Sequence, residues 1–172
     1  KDDMGLTIGD FDNDGKFDIF ITNINENILL KNNGNNTFAD IAVEKNLNDT
    51  GWAWDAVFAD FDLDGDEDLF VVNGFKIPNP PAEHNFYFKN LHTEGQNEFI
   101  EQTEEMNLKG LSISVGATPF DYDNDGDLDL FVSNSDRASY FYKNQIISEN
   151  EPGELQWFKV SLEGTTSNRN AI

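Results

Sequence analysis

Residues 121–129 read Asp121-Tyr122-Asp123-Asn124-Asp125-Gly126-Asp127-Leu128-Asp129, and the same pattern occurs twice more in the chain, at residues 10–18 and 60–68. We number the positions of each copy 1 to 9. Every copy has aspartate at positions 1, 3, 5 and 9, an aromatic residue at position 2 and glycine at position 6. Because glycine tolerates backbone conformations that a Cβ atom would penalise, the chain can curl and bring the alternate carboxylates to one centre.

This spacing of carboxylates predicts a calcium site in each loop. Ca²⁺ is a hard cation that takes six to eight oxygen ligands at about 2.3–2.6 Å. The predicted ligands are the side chains at positions 1, 3, 5 and 9 and the backbone carbonyl at position 7. They are Asp10, Asp12, Asp14, Lys16 and Asp18; Asp60, Asp62, Asp64, Asp66 and Asp68; and Asp121, Asp123, Asp125, Asp127 and Asp129. We therefore expect about three Ca²⁺ per chain, although solvated acidic turns are the alternative interpretation.

The residues that follow each loop argue against an EF-hand. An EF-hand requires a bidentate glutamate at position 12, where this chain has Ile21, Val71 and Val132. The runs after position 9 are β-branched and aromatic and end at Asn23, Asn73 and Asn134, which is typical of strands. Each loop is therefore expected to connect two strands.

Other landmarks recur together with the loops. The loops begin at residues 10, 60 and 121, and a Lys-Asn pair follows each of them at 31–32, 89–90 and 143–144. Three repeats are predicted, at about 1–37, 38–98 and 99–147, each with four antiparallel strands. The first strand of a repeat is expected around Phe38 or Phe99. The fold class is therefore all-β, and the repeats are predicted to be blades of a partial β-propeller.

Several segments fall outside the repeated pattern. Residues 74–84 are predicted to be an inserted loop, either a binding loop or a neutral extension. Residues 43–47 and 104–108 could form short helical turns. A polar linker is expected at 148–154, and residues 155–172 are interpreted as the start of another module.

Charge and composition limit the classes of partner. The 172 residues carry a formal net charge of −22, so nucleic acid and anionic membranes are not expected as partners. No apolar stretch is long enough for a transmembrane helix. The chain has no cysteine, which excludes disulfides. It starts at Lys1 inside a repeat, so we expect it to be a segment of a larger protein. Weak calcium sites are filled where Ca²⁺ is about millimolar, which predicts an extracellular location.

No catalytic constellation is recognisable. His84 and His92 are the only histidines, and neither occurs in a pattern typical of a triad or a zinc site. Trp52 and Trp54 are expected to face one side of a strand, where core packing is favoured over a sugar-stacking platform. The chain is therefore not expected to be an enzyme.

The loop, its flanking strands and the Lys-Asn pair resemble the FG-GAP or VCBS-type repeats of integrin-α-like β-propellers. The resemblance covers about residues 1–147 and implies one calcium ion in each loop. Residues 155–172 are similar to the opening of an ASPIC/UnbV segment. Propellers of this family usually have six to eight blades, so the three repeats found here imply an exposed sheet edge at either end.

Three functional hypotheses follow from this pattern. The first is an adhesion or binding module for a protein or carbohydrate ligand. The second is a structural subunit that assembles with other copies of itself through unclosed blades, as a filament or oligomer. The third is an accessory domain of a secreted enzyme.

Overall fold

A computed structural model describes residues 3–75 and 83–149, with side chains described up to residue 147. This part of the chain contains eleven strands and one short helix. They are β1 (Asp3–Gly9), β2 (Asp18–Asn23), β3 (Ile28–Gly34), β4 (Thr37–Asp40), β5 (Ala53–Ala59), β6 (Asp68–Asn73), β7 (Phe86–Asn90), β8 (Phe99–Glu101), β9 (Ser114–Phe120), β10 (Asp129–Asn134), β11 (Tyr140–Tyr142) and α1 (Ile146–Glu149).

The strands form three antiparallel sheets, which we call blades 1 to 3. Blade 1 has the order β1-β2-β3-β4, blade 2 has β5-β6-β7-β8, and the described part of blade 3 has β9-β10-β11. Each Asp-rich loop connects two strands, as the sequence predicts. They are the first two strands of a blade, whereas the predicted repeat, with its first strand around Phe38 or Phe99, made them the second and third. The all-β fold class is therefore confirmed, and the sheets form part of a propeller that does not close within the described residues.

The sheets divide the chain at other points than the sequence repeats do. Phe38, which opens the second sequence repeat, lies in β4 opposite Asn32 of β3, in blade 1. Phe99 likewise lies in β8 opposite Asn90 of β7, in blade 2. The turn at residues 35–36 explains why β4 pairs with β3. Both residues have positive φ (54° and 60°), which a two-residue hairpin loop of type I′ requires. A strand that opens a sequence repeat is thus the outermost strand of the preceding blade.

Single turns stabilised by hydrogen bonds occur where short helical turns are predicted. The Leu47 amide donates to the Ala42 carbonyl at 2.9 Å, and the Leu108 amide donates to the Thr103 carbonyl, also at 2.9 Å. In both turns an asparagine takes a left-handed conformation, Asn46 with φ 57° and Asn107 with φ 55°. These turns lead the chain from the outermost strand of one blade to the first strand of the next.

Adjacent blades pack face to face, with their first strands side by side. β1 contacts β5, and β5 contacts β9. The approach is close: a Cβ atom added to Gly5 of β1 would lie 2.7 Å from the Trp54 carbonyl oxygen. Two apolar cores result, one between blades 1 and 2 around Phe20 and Phe58, and one between blades 2 and 3 around Phe70.

The outer faces of blades 1 and 3 expose side chains whose counterparts are buried. Phe20, Phe70 and Phe131 each lie two residues after position 9, and their exposed fractions are 0%, 0% and 40%. At the other end, Ile8 of blade 1 is 55% exposed, whereas its counterpart Phe58 in blade 2 is 8% exposed. The two end faces therefore have the composition of blade-to-blade contacts and are uncovered within the described residues.

Several predicted segments lie partly or wholly outside the described residues. These are residues 76–82 of the insertion, the linker from residue 150 onward, and the 155–172 segment. The first two residues of the predicted linker belong to α1. Of the two tryptophans, Trp54 packs against the core between blades 2 and 3, and Trp52 stacks on Phe75 with ring centroids 4.0 Å apart.

Candidate metal centres

We call the Asp-rich segments at residues 10–18, 60–68 and 121–129 loops 1, 2 and 3. In loops 1 and 2, the carboxylate at position 1 organises the turn. The Asp10 side chain accepts hydrogen bonds from the backbone amides of Asp14 at 3.0 Å and Gly15 at 2.9 Å. In loop 2, Asp60 accepts the same two bonds, each at 3.1 Å. The glycine at position 6 has φ between 82° and 103° in all three loops, which explains why glycine occupies this position. The position 1 carboxylate therefore lies at the centre of the turn, and positions 5 and 6 are hydrogen-bonded to it.

Each loop brings three aspartate side chains together. In every group, one oxygen of each carboxylate lies within 4.8 Å of the other two. The groups are Asp10, Asp12 and Asp18 in loop 1, Asp60, Asp62 and Asp64 in loop 2, and Asp121, Asp123 and Asp129 in loop 3. Positions 1 and 3 contribute in all three loops, whereas the third member is position 5 in one loop and position 9 in the others.

The remaining predicted ligands are held by other groups. Asp14 pairs with Lys16, whose Nζ lies 2.7 Å from Asp14 Oδ2, so Lys16 contributes an ammonium group beside the loop. Asp68 accepts a hydrogen bond from the Tyr87 hydroxyl at 2.8 Å. Asp125 accepts a bond from the backbone amide of Asp127 at 3.2 Å.

Buried carboxylate oxygens without any hydrogen bond or ion pair occur in all three loops. They are Asp12 Oδ1, Asp18 Oδ2, Asp62 Oδ1, Asp66 Oδ1, Asp121 Oδ1 and Asp127 Oδ1. A buried charged oxygen without a partner is costly, because burial removes its hydration and nothing replaces it. A hard divalent cation supplies the missing interaction, so the donor set of these loops fits Ca²⁺.

Burial also perturbs the acidity of the loop carboxyls. It raises the pKa of Asp68 to about 7, although hydrogen bonds from the Asn90 amide and the Tyr87 hydroxyl oppose this shift. Burial likewise raises the pKa of Asp127 to about 6. It also raises the pKa of Asp18 above its ordinary value. A bound cation would oppose these shifts by favouring the charged carboxylates.

The lysine of each Lys-Asn pair reaches back to its own loop. Lys31 pairs with Asp12, Lys89 with Asp62, and Lys143 with Asp123, all at position 3. Burial acts to lower the pKa of Lys89, but hydrogen bonds to Asp62 and Glu94 outweigh it and raise the pKa above its usual range. Each ammonium group therefore offsets part of the charge of its loop.

The asparagine of each pair joins the loop to the blade, and in blades 2 and 3 it also joins two blades. Backbone amides of Asn32, Asn90 and Asn144 donate to the position 9 carboxylate at 2.7, 2.9 and 2.9 Å. The Asn90 side-chain amide also donates to the Phe11 carbonyl of loop 1 at 2.7 Å. The Asn144 side chain donates to the Phe61 carbonyl of loop 2 at the same distance. Sequence reasoning found this pair as a landmark but missed its role, which its recurrence after every loop signals.

Replacing the asparagine that joins two blades is expected to cost more than replacing its counterpart in blade 1. Asn90→Ala removes side-chain bonds to the Phe11 and Glu67 carbonyls and should lower the free energy of unfolding by about 2 kcal/mol. Asn32→Ala removes an exposed bond to the Phe17 carbonyl and a bond from the Gly34 amide, both within blade 1, and should cost about 1 kcal/mol or less. Urea unfolding in calcium buffer measures both values, and equal costs would contradict the inter-blade role.

Two of the three loops lie in a segment that matches a known protein family. Residues 10–71, which include loops 1 and 2, match a family described as FG-GAP-like repeat. Residues 10–71 carry an FG-GAP-like repeat. Loop 3 lies outside the matched range but has the same aspartates, glycine and flanking strands as the two FG-GAP-like loops.

A longer protein is similar to most of this chain. Cartilage acidic protein 1 of Xenopus tropicalis is 32% identical over 133 residues, which is 76% of this chain and 19% of that protein. This chain thus spans about a fifth of that protein's length. Among the described residues, no helix has the length and apolar character needed to cross a membrane.

Proposed function

We propose that this chain is a calcium-binding section of an extracellular β-propeller, with one structural Ca²⁺ in each Asp-rich loop. The observation that carries the proposal is the set of buried, partnerless carboxylate oxygens in all three loops. Each loop has oxygen donors that converge, and each lacks enough positive charge to balance them.

Calcium would act on the packing of the blades as well as on the loops. The position 9 aspartate is tied to the third strand of its blade by the asparagine amide, and that asparagine side chain holds the neighbouring loop in blades 2 and 3. A cation that fixes the loop therefore fixes the acceptor that the next blade binds. Metal binding and folding would be coupled for this reason.

The proposed setting is extracellular, and the proposed role is adhesion, ligand binding or scaffolding rather than catalysis. The similar protein is named for cartilage and for its acidity, and this chain has a pI of about 4.1. Such a charge favours a protein or carbohydrate ligand over nucleic acid and gives no basis for membrane insertion. Calcium at about millimolar concentration outside cells would keep sites of this type filled.

Substitution of one predicted ligand tests calcium binding directly. Asp121→Asn removes the charge of a position 1 carboxylate whose Oδ1 has no partner, and it should reduce bound calcium by one ion per chain. Asp49→Asn is a matched control, because Asp49 is exposed and lies outside every candidate metal group. Equilibrium dialysis with radioactive calcium measures the stoichiometry. Equal binding by the Asp121 variant and the wild type would contradict the proposal.

Assembly through the end blades is a second candidate function. It is supported by the exposed apolar faces at both ends, which include Leu6 (59% exposed) and Phe141 (45%). Either the remaining blades of a longer chain or other copies of this chain would cover these faces. Light scattering over a range of concentrations separates the two cases, because a constant monomeric mass would contradict self-assembly.

A further inference from the structure

Loop 2 has a second group of carboxylates beside the one that its sequence pattern predicts. One oxygen each of Asp64, Asp66 and Glu94 lies within 4.8 Å of the other two. Glu94 comes from the segment after β7, outside the loop itself. Position 7 was expected to contribute only its backbone carbonyl, so the proximity of the Asp66 side chain to Glu94 needs another explanation.

The Asp66 side chain is buried and held in one orientation. It is 1% exposed. Its Oδ2 accepts hydrogen bonds from the Thr93 amide at 2.8 Å and the Thr93 hydroxyl at 3.1 Å. Its Oδ1 has no partner. A fixed carboxylate with one unsatisfied oxygen, next to two further carboxylates, is an arrangement suited to a cation.

We infer that loop 2 binds a second Ca²⁺ through the side chains of Asp64, Asp66 and Glu94, beside the ion held by the loop itself. This inference rests on the proposed calcium-binding function of the loops. Asp64 belongs to both carboxylate groups and is therefore placed to contact both ions. Asp66 serves the first ion with its carbonyl and the second with its side chain.

Loop 1 provides an internal comparison. Its position 7 is Lys16, whose ammonium lies 2.7 Å from the Asp14 carboxylate at position 5. The lysine thus places a positive charge of the protein beside the position 5 carboxylate, where loop 2 has the Asp66 carboxylate. Loop 2 thus has a carboxylate at the position where loop 1 has an ammonium group, and a second cation would offset this difference.

The balance of charge supports the same difference between the loops. Loop 1 combines four aspartates with the ammonium groups of Lys16 and Lys31, and the Glu67 carboxylate lies beside it as the acceptor of the Asp10 amide, so one Ca²⁺ leaves a single negative charge uncompensated. Around loop 2, five aspartates and Glu94 face Lys89 as the ammonium group paired with them. One Ca²⁺ leaves this group strongly negative, and a second ion removes most of the excess.

Among the described residues, no third carboxylate is grouped with the position 5 and position 7 side chains of loop 3. Its position 7 is Asp127, which is buried and also has a partnerless Oδ1. Glu94 lies five residues after Lys89, and the residue at the same distance from Lys143 is Ser148. Within the described part of the chain, the second site is therefore found in loop 2.

The Lys89 ammonium group competes with Ca²⁺ for the proposed second site of loop 2. Its Nζ lies 3.2 Å from Asp64 Oδ2 and 3.1 Å from Glu94 Oε1. If the ammonium group alone satisfied both carboxylates, no second ion would bind. The calcium stoichiometry of suitable variants distinguishes these two cases.

The test compares Glu94→Gln and Asp66→Asn with Glu104→Gln in the full chain. Asp66→Asn keeps the carbonyl that the first ion uses, and Glu94 is partly exposed, so neither variant should unfold the protein. Glu104 is a matched control, because its side chain is 81% exposed and pairs with Lys109. Equilibrium dialysis and titration calorimetry with calcium chloride measure the number of ions and their affinities.

We expect about four ions in the wild type and in the Glu104 variant, and about three in the other two variants or a fourth site weakened at least about tenfold. A wild type that binds about three ions, or a Glu94 variant that binds as many ions as the wild type with unchanged affinities, would overturn the second site while leaving the loop sites intact. A wild type that binds no calcium would instead overturn the proposed function itself.

Discussion

Excess EGTA is expected to lower the thermal unfolding midpoint of this chain by about 15 °C or more relative to calcium buffer. An ion that binds only the folded state adds about 2.7 kcal/mol when its concentration is 100 times Kd. Three loop sites would then add about 8 kcal/mol, and a chain of this size shifts by about 2–4 °C per kcal/mol. Circular dichroism melting with and without EGTA measures the difference, with light scattering to show whether the mass also changes.

The loss of thermal stability on removal of calcium should depend on pH. This dependence distinguishes an effect at the loop carboxylates from general instability. In the calcium-free protein, burial raises the pKa of Asp68 to about 7 and that of Asp127 to about 6. Their protonated forms therefore stabilise the fold below about pH 4, and this contribution is lost as pH rises through 6 and 7. Calcium favours the charged forms, so the difference between the melting curves of calcium-loaded protein and of protein freed of calcium by dialysis against metal-free buffer should widen from pH 5 to pH 8.

EGTA that has been saturated with calcium is the control for the chelator itself. It should leave the melting curve unchanged. Coincident curves with free EGTA would mean that the loops are ordinary acidic turns, despite the partnerless oxygens that they contain. The propeller architecture would then be independent of metal.

The loops and blades could be predicted from sequence because their signals are local. Glycine at position 6 and aspartates at alternate positions define a turn, and the runs after Asp18, Asp68 and Asp129 define the strand that follows. These signals recur three times, so chance matches are suppressed. The structure places each loop between two strands, in agreement with that reasoning.

Features that depend on tertiary contacts could not be predicted in the same way. Assignment of β4 to blade 1 depends on a hairpin turn at residues 35–36 that forms without glycine. The buried side chain of Asp66 depends on Thr93, which lies 27 residues away along the chain. The asparagine that joins two blades acts on the Phe11 carbonyl, 79 residues distant. Spacing within a single repeat carries no information about such partners.

Equivalent residues in different blades also have unequal surroundings, which the sequence does not reveal. Phe70 and Phe131 occupy the same position after the loop, in the similar runs Asp-Leu-Phe-Val-Val-Asn and Asp-Leu-Phe-Val-Ser-Asn. Phe70 is 0% exposed between blades 2 and 3, whereas Phe131 is 40% exposed on the outer face of blade 3. Their difference reflects the presence of a neighbouring blade and not any property of the side chain.

Phe70→Ala is expected to lower the free energy of unfolding by about 3–5 kcal/mol, because it leaves a cavity in the core between blades 2 and 3. Phe131→Ala is its matched control and should cost about 1–2 kcal/mol, because the side chain is 40% exposed and its removal leaves no enclosed cavity. Urea unfolding in calcium buffer measures both. Similar costs for the two variants would show that the outer face of blade 3 is covered in solution. If the cost of Phe131→Ala then fell on dilution, the cover would be another copy of the chain, and a cost independent of concentration would assign it to residues of the same chain.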